Sequence, residues 1–478
     1  MKNTYRPEID GLRAIAVVSV ILYHAKLNLF NSQLFKGGFI GVDIFFVISG
    51  YLISFIILNE LITKETFSFK YFYERRIRRI LPALLFVMLV SLPIAWIYLL
   101  PNNLVDFSKS IIYSLGFSSN FYFHYSGQEY DNVSGLLKPF LHTWSLSVEE
   151  QYYILFPIIL LITFKYFKKY LLNILIFSFF ISILIADWGS KNYSSATFYF
   201  IHTRMWELIA GSILAYLEIT KGHRSKNNLL SATLPITGLI LILHSIIFFD
   251  DNILHPSFYT LSPIIGVCFI IWFSNKDQFL TKILSTKLFV GIGLISYSLY
   301  LWHYPIFAFN RIIEFTDGSI FRGIFVGLLI VILSIISYFF IERPARKKSI
   351  KFKIILSFIS ITFFILIFYN IFVISNGGYK NRLPEILNQK QDRIYDLLKN
   401  SKGETCMDNL NECQFNVSSK RDFHIIGDSH LATLAFDLKD RLIQKDFKVL
   451  ISTFAGCLYF PGFNKIELKT NKGNLECN

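Results

Sequence analysis

Arg13 and His24 stand eleven residues apart in the first apolar run of the chain. On an α-helix that separation is about 1100°, within about 20° of three full turns, so the two side chains share one face with roughly 16 Å of helix between them. A neutral imidazole is a competent general base near pH 7. His24 is therefore a candidate base, with Arg13 nearer the mouth of the same wall; a packed histidine with one satisfied hydrogen bond is the plainer alternative. Asp43 ends the stretch Gly37-Gly38-Phe39-Ile40-Gly41-Val42-Asp43, whose glycines let helices approach closely. It is a candidate to orient or charge-stabilise His24, or else to cap its helix or pair with Lys26.

Arg75, Arg76, Arg78 and Arg79 form a second group. Guanidinium groups bind phosphate in bidentate fashion, so the cluster is a candidate phosphate clamp; a topology signal or contact with anionic lipid is the alternative. Glu149 and Glu150 enter an apolar run side by side, where an unpaired charge is costly, and Glu149 is taken as a candidate catalytic acid. Arg204 and Glu207, three residues apart, are placed to pair with each other. His303, within Tyr300-Leu301-Trp302-His303-Tyr304-Pro305, reads by composition as part of an aromatic belt.

These groups lie in a chain of 478 residues that is 53% apolar and 17% charged, with 50 Phe and 26 Tyr and a mean hydropathy of +0.47. An ordinary soluble domain is about 25% charged. The balance excludes a disordered chain, a collagen, a coiled coil and a small disulfide scaffold, and one soluble core could not hide so much apolar area. An all-α polytopic membrane protein remains. Long, non-alternating apolar runs place spans at about 12–30, 38–62, 80–100, 151–166, 170–186, 203–219, 229–249, 257–274, 286–309, 322–341 and 353–374. With the N-terminus in the cytosol, the connections on that side hold roughly 24 Lys and Arg against about 7 on the other. The formal net charge of +14, which in a soluble protein would suggest nucleic acid, is thereby read as orientation, with no nucleic-acid partner. Eleven spans put everything beyond about residue 375 outside the cytosol.

That last segment is polar and contains Cys406, Cys413, Cys457 and Cys477, which read as one or two disulfides with three possible pairings. Asp422 to Ile426 and Phe447 to Thr453 read as strands flanking a helix from Leu431 to about Gln444. Gly427-Asp428-Ser429-His430 falls at the strand-to-helix turn, where a serine hydroxyl stands near amides that can form an oxyanion hole.

Taken together, these residues resemble the acyltransferase-3 family of membrane O-acyltransferases. The resemblance rests on Tyr5-Arg6-Pro7-Glu8-Ile9-Asp10-Gly11-Leu12-Arg13, the spacing from Arg13 to His24, and the Gly-Val-Asp ending at Asp43. It continues through Arg75 to Arg79, Trp144 to Tyr152, Arg204 to Gly211, Ser296 to Pro305, and Glu342-Arg343-Pro344. It implies ten family helices, an acyl-CoA donor (acetyl-CoA) reached from the cytosol, and no metal. His24 matches the family's essential histidine, Arg13 its partner, and Arg75 to Arg79 the arginine motif that holds coenzyme A phosphates. Residues 421–478 resemble the opening block of an SGNH hydrolase-like domain, in which Ser429 would be the nucleophile. No histidine follows His430, so the chain is expected to stop short of the Asp-x-x-His block, with a separate chain as a possible source of the remainder.

The resulting organisation is an acyltransferase-3 membrane domain at 1–345, a linking transmembrane helix at 346–376, an extracytosolic linker at 377–420, and an incomplete SGNH-like α/β segment at 421–478. The implied function is an O-acetyltransferase of the bacterial inner membrane, with a periplasmic C-terminal segment. Its acceptor would be a cell-surface glycan such as lipopolysaccharide O-antigen, or a lipid-linked precursor. Peptidoglycan is the second acceptor. A transporter or flippase without acyl chemistry, which predicts repeated halves, and an inactive truncated acyltransferase are the other readings.

Overall fold

The computed structural model describes residues 5–26, 28–29, 32–127, 134–222, 224–225, 227–313, 320–382, 398–400, 403, 405–406 and 413–453. They fall into two compact units, Met1–Gly378 and Tyr379–Asn478.

The first unit is helical: α1 (Pro7–Ala25), α2 (Gly41–Lys64), α3 (Phe69–Tyr98), α4 (Pro101–Leu115), α5 (Ser119–Ser126), α6 (Thr143–Tyr166), α7 (Leu171–Asn192), α8 (Ser194–Tyr199), α9 (Ile201–Lys221), α10 (Asn228–Phe248), α11 (Leu261–Phe273), α12 (Phe279–Leu284), α13 (Lys287–Leu294), α14 (Ser296–Ile313), α15 (Ile320–Ser337), α16 (Arg343–Arg346) and α17 (Phe352–Ser375). A two-residue hairpin, β1 (Asn28–Leu29) and β2 (Ser32–Gln33), lies between α1 and α2. Among the described residues, seven stretches are long and apolar enough to cross a membrane: Gly38–Ile62, Phe69–Tyr98, Thr143–Tyr166, Lys168–Asn192, Asn228–Phe248, Gly323–Arg346 and Phe352–Ser375. Their outer faces are apolar, as on α17, where Ile354, Phe358, Ile361, Phe364 and Phe368 are exposed. Such a surface suits lipid rather than water, and the chain is a multi-span membrane protein.

All eleven expected segments contain helix, but four are not simple spans. α1 carries Glu8, Asp10, Arg13 and His24, and α9 carries Arg204, Glu207 and Glu218. α11 has 13 residues, and the 286–309 segment breaks at Ile295 between α13 and α14. The break follows Gly293, where α13 meets α1 so closely that an added Cβ would lie 1.9 Å from Asp10 O. Length and hydropathy therefore do not return a count of eleven. The stretch between the expected spans at 80–100 and 151–166 contains α4 and α5. α4 escaped notice because its buried residues (Leu104, Phe107, Ile111, Leu115) recur at helical spacing instead of forming a run.

The core of this unit is α1, α2 and α9, joined by Leu12, Ala16, Ile44, Val47, Ile48, Trp206 and Ala210. Backbone contact between α2 and α9 depends on missing side chains. A Cβ on Gly50 would sit 1.8 Å from Leu208 O, and one on Gly211 2.0 Å from Val47 O.

The second unit holds β3 (Cys413–Phe415), β4 (Asp422–Gly427), α18 (Ser429–Gln444) and β5 (Lys448–Thr453). The sheet order is β3-β5-β4. β4 and β5 run parallel, from Asp422 opposite Lys448 to Gly427 opposite Thr453, and β3 is antiparallel to β5. Cys406 and Cys413 form a disulfide; Cys457 and Cys477 lie outside the described residues.

Replacing Gly50 with valine should push α2 off α9 at a cost of about 1–3 kcal/mol. The thermal midpoint of the detergent-solubilised protein should fall accordingly; an unchanged midpoint would contradict this packing.

Candidate active site

Three cavities lie along α2. The first, about 650 Å³, is a chamber lined by His24, Val42, His142, His255, Tyr300 and Tyr304 among others. The second, about 80 Å³, is a narrow passage whose wall includes Arg13, Val42, Ser49, Arg76, Arg79, Glu149 and Tyr300. The third, about 840 Å³, is a basic cleft with Glu60, Arg75, Arg76, Arg78, Arg79, Arg346 and Lys348 on its wall. Chamber and passage share Val42 and Tyr300; passage and cleft share Arg76 and Arg79. Val42 and Glu60 are 18 residues apart on one helix, or roughly 27 Å, close to the ~30 Å hydrocarbon thickness of a bilayer. Chamber and cleft thus stand at opposite ends of a membrane-length helix.

His24, near the C-terminal end of α1, faces the chamber. Its Nδ1 lies 3.3 Å from His303 Nε2, and His303 Nδ1 lies 2.6 Å from Tyr300 O. A carbonyl only accepts, so this network assigns the proton of His303 to Nδ1. Nε2 of the neutral ring then accepts from His24 Nδ1–H, which leaves the lone pair of His24 on Nε2. Arg311 donates to His24 O, and the Tyr304 ring meets the imidazole edge-on at 4.8 Å. His303 is thus a deep partner of His24 and fully buried; the aromatic-belt reading is corrected. Its helical spacing from Tyr300 was the available sequence signal.

Asp43 does not orient His24. Its carboxylate is held by Arg204 Nη1 at 3.0 Å and by His255 Nε2, which donates at 2.9 Å. Arg204 also donates to Glu207 Oε1 at 3.0 Å, and its guanidinium lies over the adjacent rings of Trp144 and Phe198. Arg204, Glu207 and Asp43 are all fully buried. The low-dielectric interior favours pairing over separate burial of each charge, which is why Asp43 turns toward α9. His255, in the connection after α10, is held below the usual imidazole range by burial, against the opposing pull of Asp43. Sequence reading anticipated the Arg204–Glu207 pair but not His255, which is 212 residues from Asp43.

Arg13 lies in line with His24 on α1 but in the passage. Its Nη1 donates to Asp10 Oδ1 at 3.0 Å. Glu149 is also a passage residue, accepting from the Ser49 and Tyr153 hydroxyls. The four clustered arginines differ. Arg75 is exposed and reaches Glu60 at 3.4 Å. Arg76 is turned inward over the rings of Phe72 and Tyr153, its Nε without a partner among the described residues. Arg78 is largely structural: it binds Glu74 at 2.9 Å and the carbonyls of Ala345, Lys347 and Ile350 at 3.0–3.4 Å. Arg79 makes no ion pair among the described residues and lines both passage and cleft. Arg346 and Lys348 join the cleft because α15 continues through a π turn, Tyr338–Glu342, into α16; nothing local in the sequence announces that approach.

Ser429 opens α18, directly after β4, while Asp428 Oδ1 accepts from Leu431 N at 3.2 Å and caps the helix. The Ser429 side chain lies outside the described residues.

Removing Arg204 strands Asp43 and Glu207. Arg204→Met should cost about 3–5 kcal/mol, read as a loss of folded protein on size-exclusion chromatography; full retention of the folded peak would contradict a structural ion cluster.

The family model described as "Acyltransferase domain" matches residues 6–341. A Listeria monocytogenes relative, "Peptidoglycan O-acetyltransferase OatA", is 37% identical over 363 residues, covering 72% of this chain and 56% of its own length. A Staphylococcus aureus relative, "O-acetyltransferase OatA", is 34% identical over 364 residues, covering 73% of this chain and 58% of its own. The chain thus spans less than two thirds of these curated relatives. No solved structure matches.

Proposed function

The chain belongs to the acyltransferase-3 family that this match defines, and on that premise we propose that it is a membrane O-acetyltransferase acting on peptidoglycan. The observation that carries the reading is the run of three adjoining cavities along α2, basic at one end and histidine-lined at the other. Acetyl-CoA is the donor. Its phosphates suit the cleft, where Arg79 and Lys348 offer cationic donors free of ion pairs among the described residues. The passage, about 80 Å³ against about 650 and 840 Å³ for its neighbours, suits the slender arm of the donor better than its nucleotide.

In the chamber, His24 Nε2 accepts the proton of a sugar hydroxyl as its oxygen attacks the thioester carbon. The C–O bond forms, the C–S bond breaks, and the proton passes from His24 to the departing thiolate. His303 holds His24 in the tautomer that makes this possible. Peptidoglycan replaces lipopolysaccharide O-antigen as the preferred acceptor because the Listeria relative is named for it. The arginine cleft faces the cytosol in this scheme, in keeping with the excess of basic residues in the connections on that side. The β4–α18–β5 unit, with Gly427-Asp428-Ser429-His430 at its turn, supports reading the second unit as the start of an SGNH-like fold outside the cytosol.

His24→Ala should lower O-acetylation of cell-wall glycan by at least about 100-fold, the usual scale for loss of a general base, with the protein still membrane-inserted. Undiminished ester content in the purified glycan would sink the proposal. Arg79→Ala should raise the KM for acetyl-CoA about tenfold, as expected for a lost charged hydrogen bond, while the exposed Arg75→Ala should change it by less than about twofold. Equal effects of the two substitutions in a donor titration would contradict the assigned cleft.

A further inference from the structure

Val42 and Tyr300 are the described residues common to the passage and the His24 chamber, so they form the partition between them. Both are held in place. The Tyr300 hydroxyl donates to His142 O at 2.7 Å and lies 2.6 Å from Ser145 Oγ. Its ring packs against Phe45 on the passage side, at 6.3 Å between centroids, against His142 on the chamber side at 5.3 Å, and against His303, the partner of His24, at 5.4 Å. Val42 sits between Gly41, which is pressed against α1 so that a Cβ would lie 2.3 Å from Ala16 O, and Asp43, which is locked to Arg204. A side chain bracketed in this way cannot yield to a larger neighbour without moving the ion cluster or α1.

We propose that Val42 and Tyr300 set the acyl specificity of the enzyme, admitting a two-carbon acyl group and rejecting longer ones. The inference rests on the O-acetyltransferase reading given above. A thioester delivered through the passage and attacked by a hydroxyl in the chamber must place its carbonyl carbon where the two cavities meet. The donor arm fills the space behind that carbon and the acceptor sugar fills the space ahead. The alkyl substituent is left against the Val42 side chain and the Tyr300 ring. A methyl group needs little room there. Each further methylene must displace a fixed wall or crowd the acceptor. The bonds made and broken are identical for every acyl group, so discrimination comes from fit alone, and one methylene in a closed apolar site changes kcat/KM by about 10–200-fold.

The test uses the full chain in proteoliposomes with acetyl-, propionyl- and butyryl-CoA and a GlcNAc–MurNAc disaccharide as acceptor. Wild type should prefer acetyl over butyryl by at least about tenfold in kcat/KM. Val42→Ala should reduce that preference at least about fivefold by raising the butyryl rate, and Val42→Ile should increase it by a similar factor. Because the two substitutions act in opposite directions, general damage to the fold cannot mimic the pair; if Val42→Ala does not fold, the shift with Val42→Ile decides alone. Equal use of the three donors by wild type, or preferences unmoved in the folded variants, overturns the inference while leaving the transferase reading intact. A wild type that transfers no acyl group overturns the transferase reading and this inference with it.

Discussion

A guanidinium with no solvent exposure, Arg204, holds two carboxylates from two helices in the protein interior. An isolated charge there would be prohibitive, and a pair is tolerable only when geometry is good and every partner stays. That requirement fixes the start of α2 against α9. It also pins the loop bearing His255, which donates to Asp43. The glycine contacts at Gly50 and Gly211 continue the same seam toward the other end of α2. Because α2 lines all three cavities, one buried ion cluster and a few missing side chains set the geometry of the whole path.

Along that path the chemistry is graded. The cleft gathers Arg75, Arg76, Arg78, Arg79, Arg346 and Lys348, although Arg78 is committed to the carbonyls around residues 345–350 and Arg75 to Glu60. The passage narrows and becomes aromatic, with Tyr153, Tyr297 and Tyr300 on its wall. The chamber widens again around His24. In the proposed reaction a phosphorylated donor and a sugar acceptor make opposite demands on the protein, one for fixed positive charge and the other for room beside a neutral base. The cleft and the chamber lie about the thickness of a bilayer apart.

Much of this was legible in the sequence, and the failures share a cause. Apolar runs revealed helix at every expected segment, because lipid-facing helices declare themselves by composition. The glycines before Asp43 marked a close helix approach, and Arg204 with Glu207 marked a pair at helical spacing. Asp43 was misassigned because its partners, Arg204 and His255, are far away in the chain and only the fold brings them near. His303 was taken for belt chemistry because composition does not distinguish an aromatic residue facing lipid from one facing a buried histidine. Arg13 and His24 do share a helix face, yet face sharing over eleven residues implies alignment rather than contact, and the two line different cavities. α4 was overlooked because amphipathic helices give a periodic signal instead of an apolar run.

Sidedness tests the central claim most directly. In proteoliposomes whose orientation is established by protease access to the connection between α2 and α3, labelled acetyl-CoA is supplied at one face and a peptidoglycan disaccharide at the other. The account predicts labelled product only when donor meets the arginine cleft and acceptor meets the His24 chamber. Product formed at a similar rate with donor and acceptor together at one face, or with the donor confined to the chamber face, would contradict it.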